Sequence, residues 1–319
     1  MKSSEIHQRL DRFVKGEMKR TGVPGAAVGI LHKGRRLVEG YGVTSVDHPL
    51  PVEADTLFQI GSTTKTYTAT AAMRLVEQGD LDLNAPVRRY LPDLRLKNKE
   101  AERKATLLHL FTHTGGWLGD FFADEGRGDD ALAKVVGRLA KVKHLTPLGE
   151  VWSYNNAGFY IAGRVIEKIT KQPYETAIKE LLLDPLRMES SFFFAEDVLP
   201  YRVVVGHITN RTKSRVARPW QLPRSAHPAG GIISNVHDQL VWAGFHMGDG
   251  RTPSGKRLLR KGTLKVMQKP HAPAGSIADS VGISWLLRGV AGEKLVAHGG
   301  TTNGQLSAFA MVPERQFAV

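Results

Sequence analysis

Residues 58–67 read Phe-Gln-Ile-Gly-Ser-Thr-Thr-Lys-Thr-Tyr, and the rest of the chain is organised around this stretch. Apolar and small side chains follow at helical spacing through residue 77, and Gly79 is a natural helix stop. The pattern therefore predicts Ser62 at a helix N-terminus, with Lys65 on the same face. A serine hydroxyl needs a neighbouring base before it can attack a carbonyl, and a lysine with a lowered pKa can be that base.

The Ser62–Lys65 pair is weak evidence by itself. With 15 Ser and 20 Lys in 319 residues, one Ser-x-x-Lys is expected by chance. A helix cap followed by a surface lysine would give the same pattern. The choice depends on what else the chain contains.

Composition limits the classes of protein that this chain can be. It is 41% hydrophobic over 319 residues, enough for a sizeable core, and it contains no cysteine. No apolar window is long enough to span a membrane, and the N-terminus lacks the apolar run of a signal peptide. The expected location is cytoplasmic, or exported with the signal missing from this sequence.

The net charge of +13 invites comparison with nucleic-acid-binding proteins. The basic residues are scattered, however, and the densest run, at 95–104, also contains Glu100 and Glu102. We therefore predict no nucleic-acid partner and expect only a general attraction to acidic surfaces.

The order of elements predicts an α+β fold. A helix over 4–20 precedes a hairpin of strands 26–31 and 36–39, which turns through Lys33-Gly34. Further strands are predicted near the C-terminus, at 281–287, 295–297 and 305–312. Helices are predicted between these two groups of strands, at 107–112, 131–143, 160–170, 174–183 and 235–247. Short turns between neighbouring strands favour an antiparallel sheet carrying a large inserted helical lobe, with the active site where lobe and sheet meet.

Two further motifs support a catalytic interpretation of Ser62. Tyr154-Asn155-Asn156 is a Tyr-x-Asn pattern that composition predicts only about 0.15 times by chance. His298-Gly299-Gly300 follows a strand-like run, and glycines at such a place permit close backbone approach to a ligand.

The order and spacing of these three motifs resemble the serine β-lactamase and penicillin-binding-protein superfamily. The resemblance is strongest to its class C β-lactamase-like branch, which includes family VIII carboxylesterases and D-aminopeptidases. It covers nearly the whole chain, including residues 110–116, 228–231 and 298–314.

The resemblance implies an αβα sandwich, an antiparallel sheet flanked by N- and C-terminal helices, of the β-lactamase/transpeptidase type. It implies one catalytic domain over 1–319, with a sheet lobe at about 1–60 and 275–319 and a helical lobe at about 61–274. Relatives usually continue past the equivalent of Val319 into a helix packed on the sheet. We therefore expect this chain to be a C-terminally truncated fragment that melts early.

The resemblance also implies roles for the motif residues. Ser62 would be the nucleophile, Lys65 and Tyr154 would share the task of base and proton relay, and Asn156 would orient Lys65 and the substrate. The backbone N–H groups of Ser62 and Thr301 would form the oxyanion hole, beside the triplet His298, Gly299 and Gly300. A phenol near a cationic lysine can have a lowered pKa, so the motifs leave open whether Lys65 or Tyr154 is the base.

The triplet departs from the pattern of dedicated β-lactam enzymes, which carry Lys-Thr-Gly there. His298 would be only partly charged near neutral pH. We expect it to tune the binding of acidic substrates. Without a permanently charged lysine in the triplet, esters or amides are favoured over β-lactams as the predicted substrates.

Other candidate sites have simpler explanations. His109 and His113 are spaced four apart on a predicted helix, but without a third ligand they predict no metal site. Trp117, Phe121 and Phe122 line an acyl pocket or belong to the core.

The leading prediction is a cofactor-independent serine hydrolase that acts through an acyl-enzyme on small carboxylic esters. The alternatives are a β-lactamase, a D,D-peptidase or D-aminopeptidase, and a penicillin-binding sensor that is acylated without turnover. The expected partner is a small ester, amide or β-lactam, with no nucleic acid and no membrane span.

Overall fold

The computed structural model describes residues 3–210 and 213–319. Short 3₁₀ turns connect many of its elements, and a π-helical turn, Lys179–Leu183, joins the seventh and eighth helices. The α-helices, in chain order, are α1 (Ser3–Thr21), α2 (Thr64–Gln78), α3 (Lys99–Lys104), α4 (Leu107–Phe111), α5 (Ala131–Arg138), α6 (Asn156–Thr170), α7 (Tyr174–Ile178), α8 (Asp184–Leu186), α9 (His227–Gly230), α10 (Val236–Met247) and α11 (Lys261–Met267).

The strands form one large antiparallel sheet and two small ones. The strands are β1 (Gly25–His32), β2 (Arg35–Gly42), β3 (Phe58–Gln59), β4 (Ser191–Phe192), β5 (His207–Asn210), β6 (Lys213–Val216), β7 (Ile233–Ser234), β8 (Ala272–Ala274), β9 (Ala278–Val281), β10 (Leu286–Val290), β11 (Glu293–Thr301), β12 (Leu306–Val312) and β13 (Phe317–Ala318). The large sheet has the order β2-β1-β13-β12-β11-β10-β9-β8, so strands from the two ends of the chain meet in its middle.

The predicted α+β class, an antiparallel sheet with packed helices, is confirmed. The N-terminal helix and the hairpin through Lys33-Gly34 lie where the sequence places them. Asn235 caps α10 by accepting a hydrogen bond from the Asp238 amide at 3.0 Å. The single strand predicted over 281–287 is wrong. Ser284 has a left-handed φ of 63°, which separates β9 from β10.

Helix α2, which follows Ser62, lies at the centre of the molecule. Three of its alanines, Ala69, Ala71 and Ala72, are completely buried, and small side chains let neighbouring elements approach closely. Helices α6 and α9 pack against α2, and α10 covers the inner face of β1. The nucleophile element is thus held between the helices and the sheet.

The middle of the large sheet is only partly filled. Strand β13 pairs with β1 and with β12, but its pairs cover only Leu31–His32 and Met311–Val312. Beyond these pairs, residues 25–30 and 306–309 face one another across a space that we call the sheet gap. A cavity of about 690 Å³ occupies the gap, and Ser62, Lys65 and Tyr154 do not line it.

Among the described residues, no helix has the length and apolar character needed to cross a membrane.

Candidate active site

Ser62 lies in a 3₁₀ turn, Gly61–Thr63, directly before α2. Gly61 adopts a left-handed φ of 50°, and a Cβ atom there would lie 2.7 Å from the backbone nitrogen of Thr301. A Cβ on Gly300 would likewise lie 2.7 Å from the backbone nitrogen of Ser62. These glycines therefore bring the Ser62 turn against the end of β11, with the backbone nitrogens of Ser62 and Thr301 in the same small region.

Hydroxyl groups fasten this turn to the sheet. Thr63 Oγ1 donates to the His298 carbonyl at 3.2 Å and lies 2.9 Å from Ser307 Oγ. Ser307 Oγ in turn donates to the Ile60 carbonyl at 2.7 Å. Neither Thr63 nor Ser307 was singled out in the sequence, because this task requires only a hydroxyl and carries no motif.

Lys65 is completely buried, and its Nζ contacts three oxygens. They are Ser62 Oγ at 2.9 Å, Asn156 Oδ1 at 2.7 Å and the Ala229 carbonyl at 2.7 Å. Burial lowers the pKa of Lys65 well below its ordinary value, and the Asp120 carboxylate opposes this shift. Two of the three contacts are amide oxygens, which can only accept. A neutral amine donates its two protons to them and keeps its lone pair for the Ser62 hydroxyl.

The Tyr-x-Asn motif forms the start of α6. Asn155 is the cap and accepts from the Gly158 amide at 2.8 Å, so Asn156 becomes the first residue of the helix. Asn155 also donates to the Trp117 carbonyl at 2.7 Å. The Asn155 cap thus fixes the backbone of Tyr154 and Asn156 on either side of it. Asn156 contacts Lys65, as the family resemblance implies.

Tyr154 departs from the expected electrostatics. Burial raises its pKa to about 12, although a hydrogen bond with Ser62 partly offsets the shift. Its ring stacks on His113, with centroids 4.5 Å apart, and lies 5.0 Å from Lys65 Nζ. The expectation of a lowered phenol pKa is wrong, because desolvation is the largest contribution and raises the pKa.

The expectation of a partly charged His298 is also wrong. The residue is 2% exposed, and burial, with a smaller contribution from Lys65 in its protonated form, lowers its pKa to about 4. Its Nδ1–H donates to the Gly299 carbonyl at 2.7 Å, which stabilises one neutral tautomer. His298 is therefore a neutral side chain throughout the physiological pH range.

His109 and His113 do not share a helix face, contrary to the sequence interpretation. Helix α4 ends at Phe111, and His113 has a left-handed φ of 58°. His109 Nδ1 lies 2.8 Å from Oγ1 of Thr106, the N-cap residue of its own helix. His113 Nδ1 instead accepts from the Asn155 amide at 3.0 Å. In the described part of the chain, no group of three or more His, Asp or Glu side chains is arranged to hold a metal ion.

The three aromatic residues proposed for an acyl pocket have different environments. Trp117 belongs to the hydrophobic core, Phe121 is half-buried against that core, and Phe122 is 65% exposed. A pocket formed by these three residues stays a prediction.

Two contributors to the site have no role assigned by the sequence motifs, although Ala229 lies within residues 228–231, which carry part of the family resemblance. Asp120 accepts a hydrogen bond from Asn156 Nδ2 at 3.0 Å, so it stands next to the Lys65 network. Ala229 contributes only its carbonyl oxygen, which no sequence pattern could reveal. A glycine, Gly119, brings Asp120 to this place, since a Cβ there would lie 2.4 Å from the Tyr154 carbonyl.

A buried charged group stabilises α9, the helix that contains Ala229. Glu175 accepts from His227 Nδ1 at 2.6 Å and pairs with Arg224 at 3.1 Å. Burial raises the pKa of Glu175, but the hydrogen bonds from His227 and Arg224 outweigh it and lower the pKa to about 2. This group holds α9 in place against α2.

Comparison with known proteins agrees with the geometry. A family model described as beta-lactamase matches residues 10–319. The chain is 35% identical over 297 residues to penicillin-binding protein 4 of Amycolatopsis lactamdurans, covering 91% of this chain and 78% of that protein.

Solved structures of penicillin-binding-protein and β-lactamase type also match this chain. An octameric penicillin-binding-protein homologue from Pyrococcus abyssi superposes with a TM-score of 0.84 at 26% identity, covering 98% of this chain and 72% of that one. A class C β-lactamase from Rhodobacter sphaeroides, at 22% identity and a TM-score of 0.77, covers 95% of this chain and 90% of that one and shares the fold.

Proposed function

The chain belongs to the beta-lactamase family and is a serine hydrolase of the β-lactamase and penicillin-binding-protein type, and on this premise we propose that Ser62 carries the acyl group and that small carboxylic esters are its substrates. The observation that carries the proposal is the three-oxygen environment of Lys65 Nζ. It supports a neutral amine whose lone pair faces the nucleophile.

Proton movements follow from the two shifted pKa values. Lys65, with its pKa lowered, takes the proton of Ser62 Oγ as that oxygen attacks the carbonyl carbon. Tyr154, with its pKa near 12, keeps its phenol proton and donates it to the departing alkoxide. The Lys65 ammonium then reprotonates Tyr154. In the second half of the reaction water takes the place of the alcohol, the same proton transfers run in reverse, and the carboxylic acid leaves Ser62. The proposal therefore assigns Lys65 as the base and Tyr154 as the acid of the acylation step.

The oxyanion is proposed to bind between the backbone N–H groups of Ser62 and Thr301. The close approach of Gly61 to Thr301 and of Gly300 to Ser62 supports this placement. Preorganised donors of this kind typically contribute about 3 to 4 kcal/mol each to transition-state stabilisation.

The absence of a positive charge on the His298 side chain favours esters over carboxylate-bearing β-lactams as substrates. A substrate carboxylate needs a cation, and the neutral, buried His298 does not supply one. A neutral ester makes no such demand and needs only the nucleophile, the two proton carriers and the oxyanion donors.

A penicillin-binding D,D-peptidase is the second candidate. The observation in its favour is the 35% identity to a relative named penicillin-binding protein 4. It requires a carboxylate-bearing substrate to be held without a cationic side chain at position 298.

The test is a substrate panel applied to the parent and to Ser62→Ala. We expect the parent to hydrolyse p-nitrophenyl butyrate with a burst and a steady state, and to act poorly on a chromogenic cephalosporin and on D-alanyl amides. Ser62→Ala should lose ester turnover and fluorophosphonate labelling while keeping its circular-dichroism spectrum.

Each other outcome has a distinct meaning. Preferential turnover of the D-alanyl amides would support the second candidate, and a burst without turnover would indicate an acylated sensor. Ester hydrolysis by Ser62→Ala at the parent rate would refute the assignment of the nucleophile.

A further inference from the structure

Asp120 is the charged side chain beside the nucleophile whose function the proposed mechanism does not use. It is solvent-exposed, unlike the buried Lys65 and the half-buried Tyr154. Asn156 links it to the reacting groups: its Oδ1 accepts from Lys65 at 2.7 Å, and its Nδ2 donates to Asp120 Oδ1 at 3.0 Å. One amide group and three hydrogen bonds therefore separate the Asp120 carboxylate from Ser62 Oγ.

The carboxylate has no cationic partner of its own. No ion pair found among residues 3–210 and 213–319 includes Asp120. Its one side-chain hydrogen bond occupies one oxygen, and a carboxylate has room for several further donors. Because Asp120 is exposed, this free acceptor capacity is open to solvent.

The electrostatic effect of Asp120 on the site is already visible in its neighbours. Its charge raises the pKa of Lys65, of Tyr154 and of Tyr160, in each case as a smaller contribution than burial. Asp120 therefore contributes a negative potential at the reacting groups, and the neutral His298 adds no positive charge that would offset it. Such a field disfavours an anionic substrate and favours a cationic one.

We propose that Asp120 is a specificity-determining residue that binds a positively charged nitrogen of the substrate, carried close to the scissile ester or amide bond. The inference rests on the proposed acyl-enzyme at Ser62 and specifies its substrate class as amino-bearing or quaternary-ammonium esters and amides. The carboxylate would accept N–H donors from a primary ammonium, or attract a quaternary one by charge alone.

A purely structural role for Asp120 is the competing explanation. In that case the carboxylate only turns the Asn156 amide so that Oδ1 faces Lys65. Asp120→Asn separates the two roles, because an asparagine oxygen still accepts from Asn156 Nδ2 while the charge is lost. Asp124→Asn is the matched control, since Asp124 lies in the same exposed segment and accepts from the Gly126 amide outside the Lys65 network.

The measurement is the rate at which Ser62 is labelled, followed by intact-protein mass spectrometry. The first probe pair is a methylphosphonate thioester of thiocholine and its neutral isostere with 3,3-dimethylbutanethiol, which differ in one N⁺ atom on the leaving group. The second pair is diphenyl 1-aminoethylphosphonate, which has a free amine on the acyl side, and its N-acetyl derivative. Labelling requires the nucleophile but no deacylation, so slow turnover does not obscure the result.

We expect the parent to prefer the cationic member of at least one pair. Asp120→Asn should lower that cationic-to-neutral ratio by about tenfold at low salt, and the difference should shrink near about 1 M salt. Asp124→Asn should leave the ratio unchanged. The pair that responds identifies the side of the scissile bond on which the cation binds.

The other outcomes overturn the inference in distinguishable ways. If Asp120→Asn slows both members of each pair equally, Asp120 positions Asn156 and does not select charge. If neither the labelling rates nor the two ratios change, Asp120 contributes nothing to specificity or positioning while the nucleophile assignment stands. If no probe labels Ser62 in the parent, the proposed function fails and this inference fails with it.

Discussion

Burial shifts the pKa of both proposed proton carriers in the direction that favours their neutral forms. Desolvation disfavours the charged form of each group, so the pKa of Lys65 falls while that of Tyr154 rises to about 12. The same environment thus produces a base from an amine and an acid from a phenol. The two groups lie close together, with Lys65 Nζ 5.0 Å from the Tyr154 ring centroid, so neither acts alone.

Removing either proton carrier should therefore stop the same step. We expect Lys65→Ala and Tyr154→Phe each to lower kcat for p-nitrophenyl butyrate by several orders of magnitude. The double variant should be scarcely worse than the single ones, because members of one catalytic unit lose activity together. Steady-state kinetics of the three variants check this. Additive losses would show that the two residues serve separate steps.

The pH profile should have an acid limb and a long plateau. Lys65 must lose its proton to act as a base, so kcat/KM for a neutral ester should rise with pH through the pKa of Lys65 and then level off. Tyr154 retains its proton to about pH 12, so no alkaline fall should precede the loss of the fold. In Asp120→Asn the acid limb should move to lower pH, since the Asp120 charge raises the pKa of Lys65.

His298 should have no influence on this profile near neutrality. Its pKa of about 4 means that it carries no charge at either pH 6 or pH 8. We therefore expect KM for an anionic ester and for a neutral ester to change in parallel between about pH 6 and about pH 8. Improved binding of the anionic ester alone on the acid side would restore the original expectation of a titrating triplet histidine.

At the scale of elements, α9 must be held firmly because its backbone takes part in the site. The carbonyls of Pro228 and Ala229 accept from Thr68 Oγ1 and Lys65 Nζ, both at 2.7 Å. The Glu175–His227 bond fastens the start of α9 to α7. A helix of four residues has little stability of its own, so these side chains determine its position.

Glu175→Gln should destabilise the fold by about 3 kcal/mol at neutral pH, because it removes the buried counter-charge of Arg224, whose other carboxylate partner, Asp129, is exposed. The folded-state pKa of about 2 lies below the ordinary 4.5, so the stabilisation is present above about pH 4.5 and is lost as pH falls toward 2. The Tm difference from the parent should narrow over that window. Glu100→Gln, which breaks the exposed pair with Lys104, is the control and should leave Tm unchanged at any pH.

At the scale of the whole molecule, the sheet gap is the least complete part of the structure. Strand β13 bonds to both neighbours, which shows that the gap is one strand wide. The Lys33 amide donates to the Gln316 carbonyl, and Ala310 exchanges both bonds with Val319. Because backbone groups alternate sides along a strand, those of Ala27 and Gly29 on one edge, and of Leu306 and Ala308 on the other, point into the gap.

An added strand should therefore stabilise the protein. Extending the chain beyond Val319 by about five alternating apolar and polar β-formers should raise Tm by several degrees, as burial of apolar cavity wall and new ladder bonds both contribute. An extension of equal length with proline at alternate positions cannot donate to the ladder and serves as the control. Equal Tm values for the two extended proteins would show that the gap does not accept a strand.

Features set by near neighbours in the chain were predictable from the sequence alone. The Lys33-Gly34 hairpin, the Asn235 cap and the start of a helix at Ser62 depend on residues within one or two turns. The motif order also led to the family, and through it to the residues that now surround Lys65. The prediction of one strand over 281–287 is wrong because it also rests on local residues alone, and none of them marks Ser284 as left-handed.

What only the tertiary structure decided is the charge of the site. The neutral state of His298, the raised pKa of Tyr154 and the placement of the Asp120 carboxylate against Asn156 all depend on side chains and backbone from distant parts of the chain. Desolvation is determined by everything that packs around a group, whereas a motif records only which group is present. The same sequence pattern could accompany a charged or a neutral triplet residue, and the fold alone makes this one neutral.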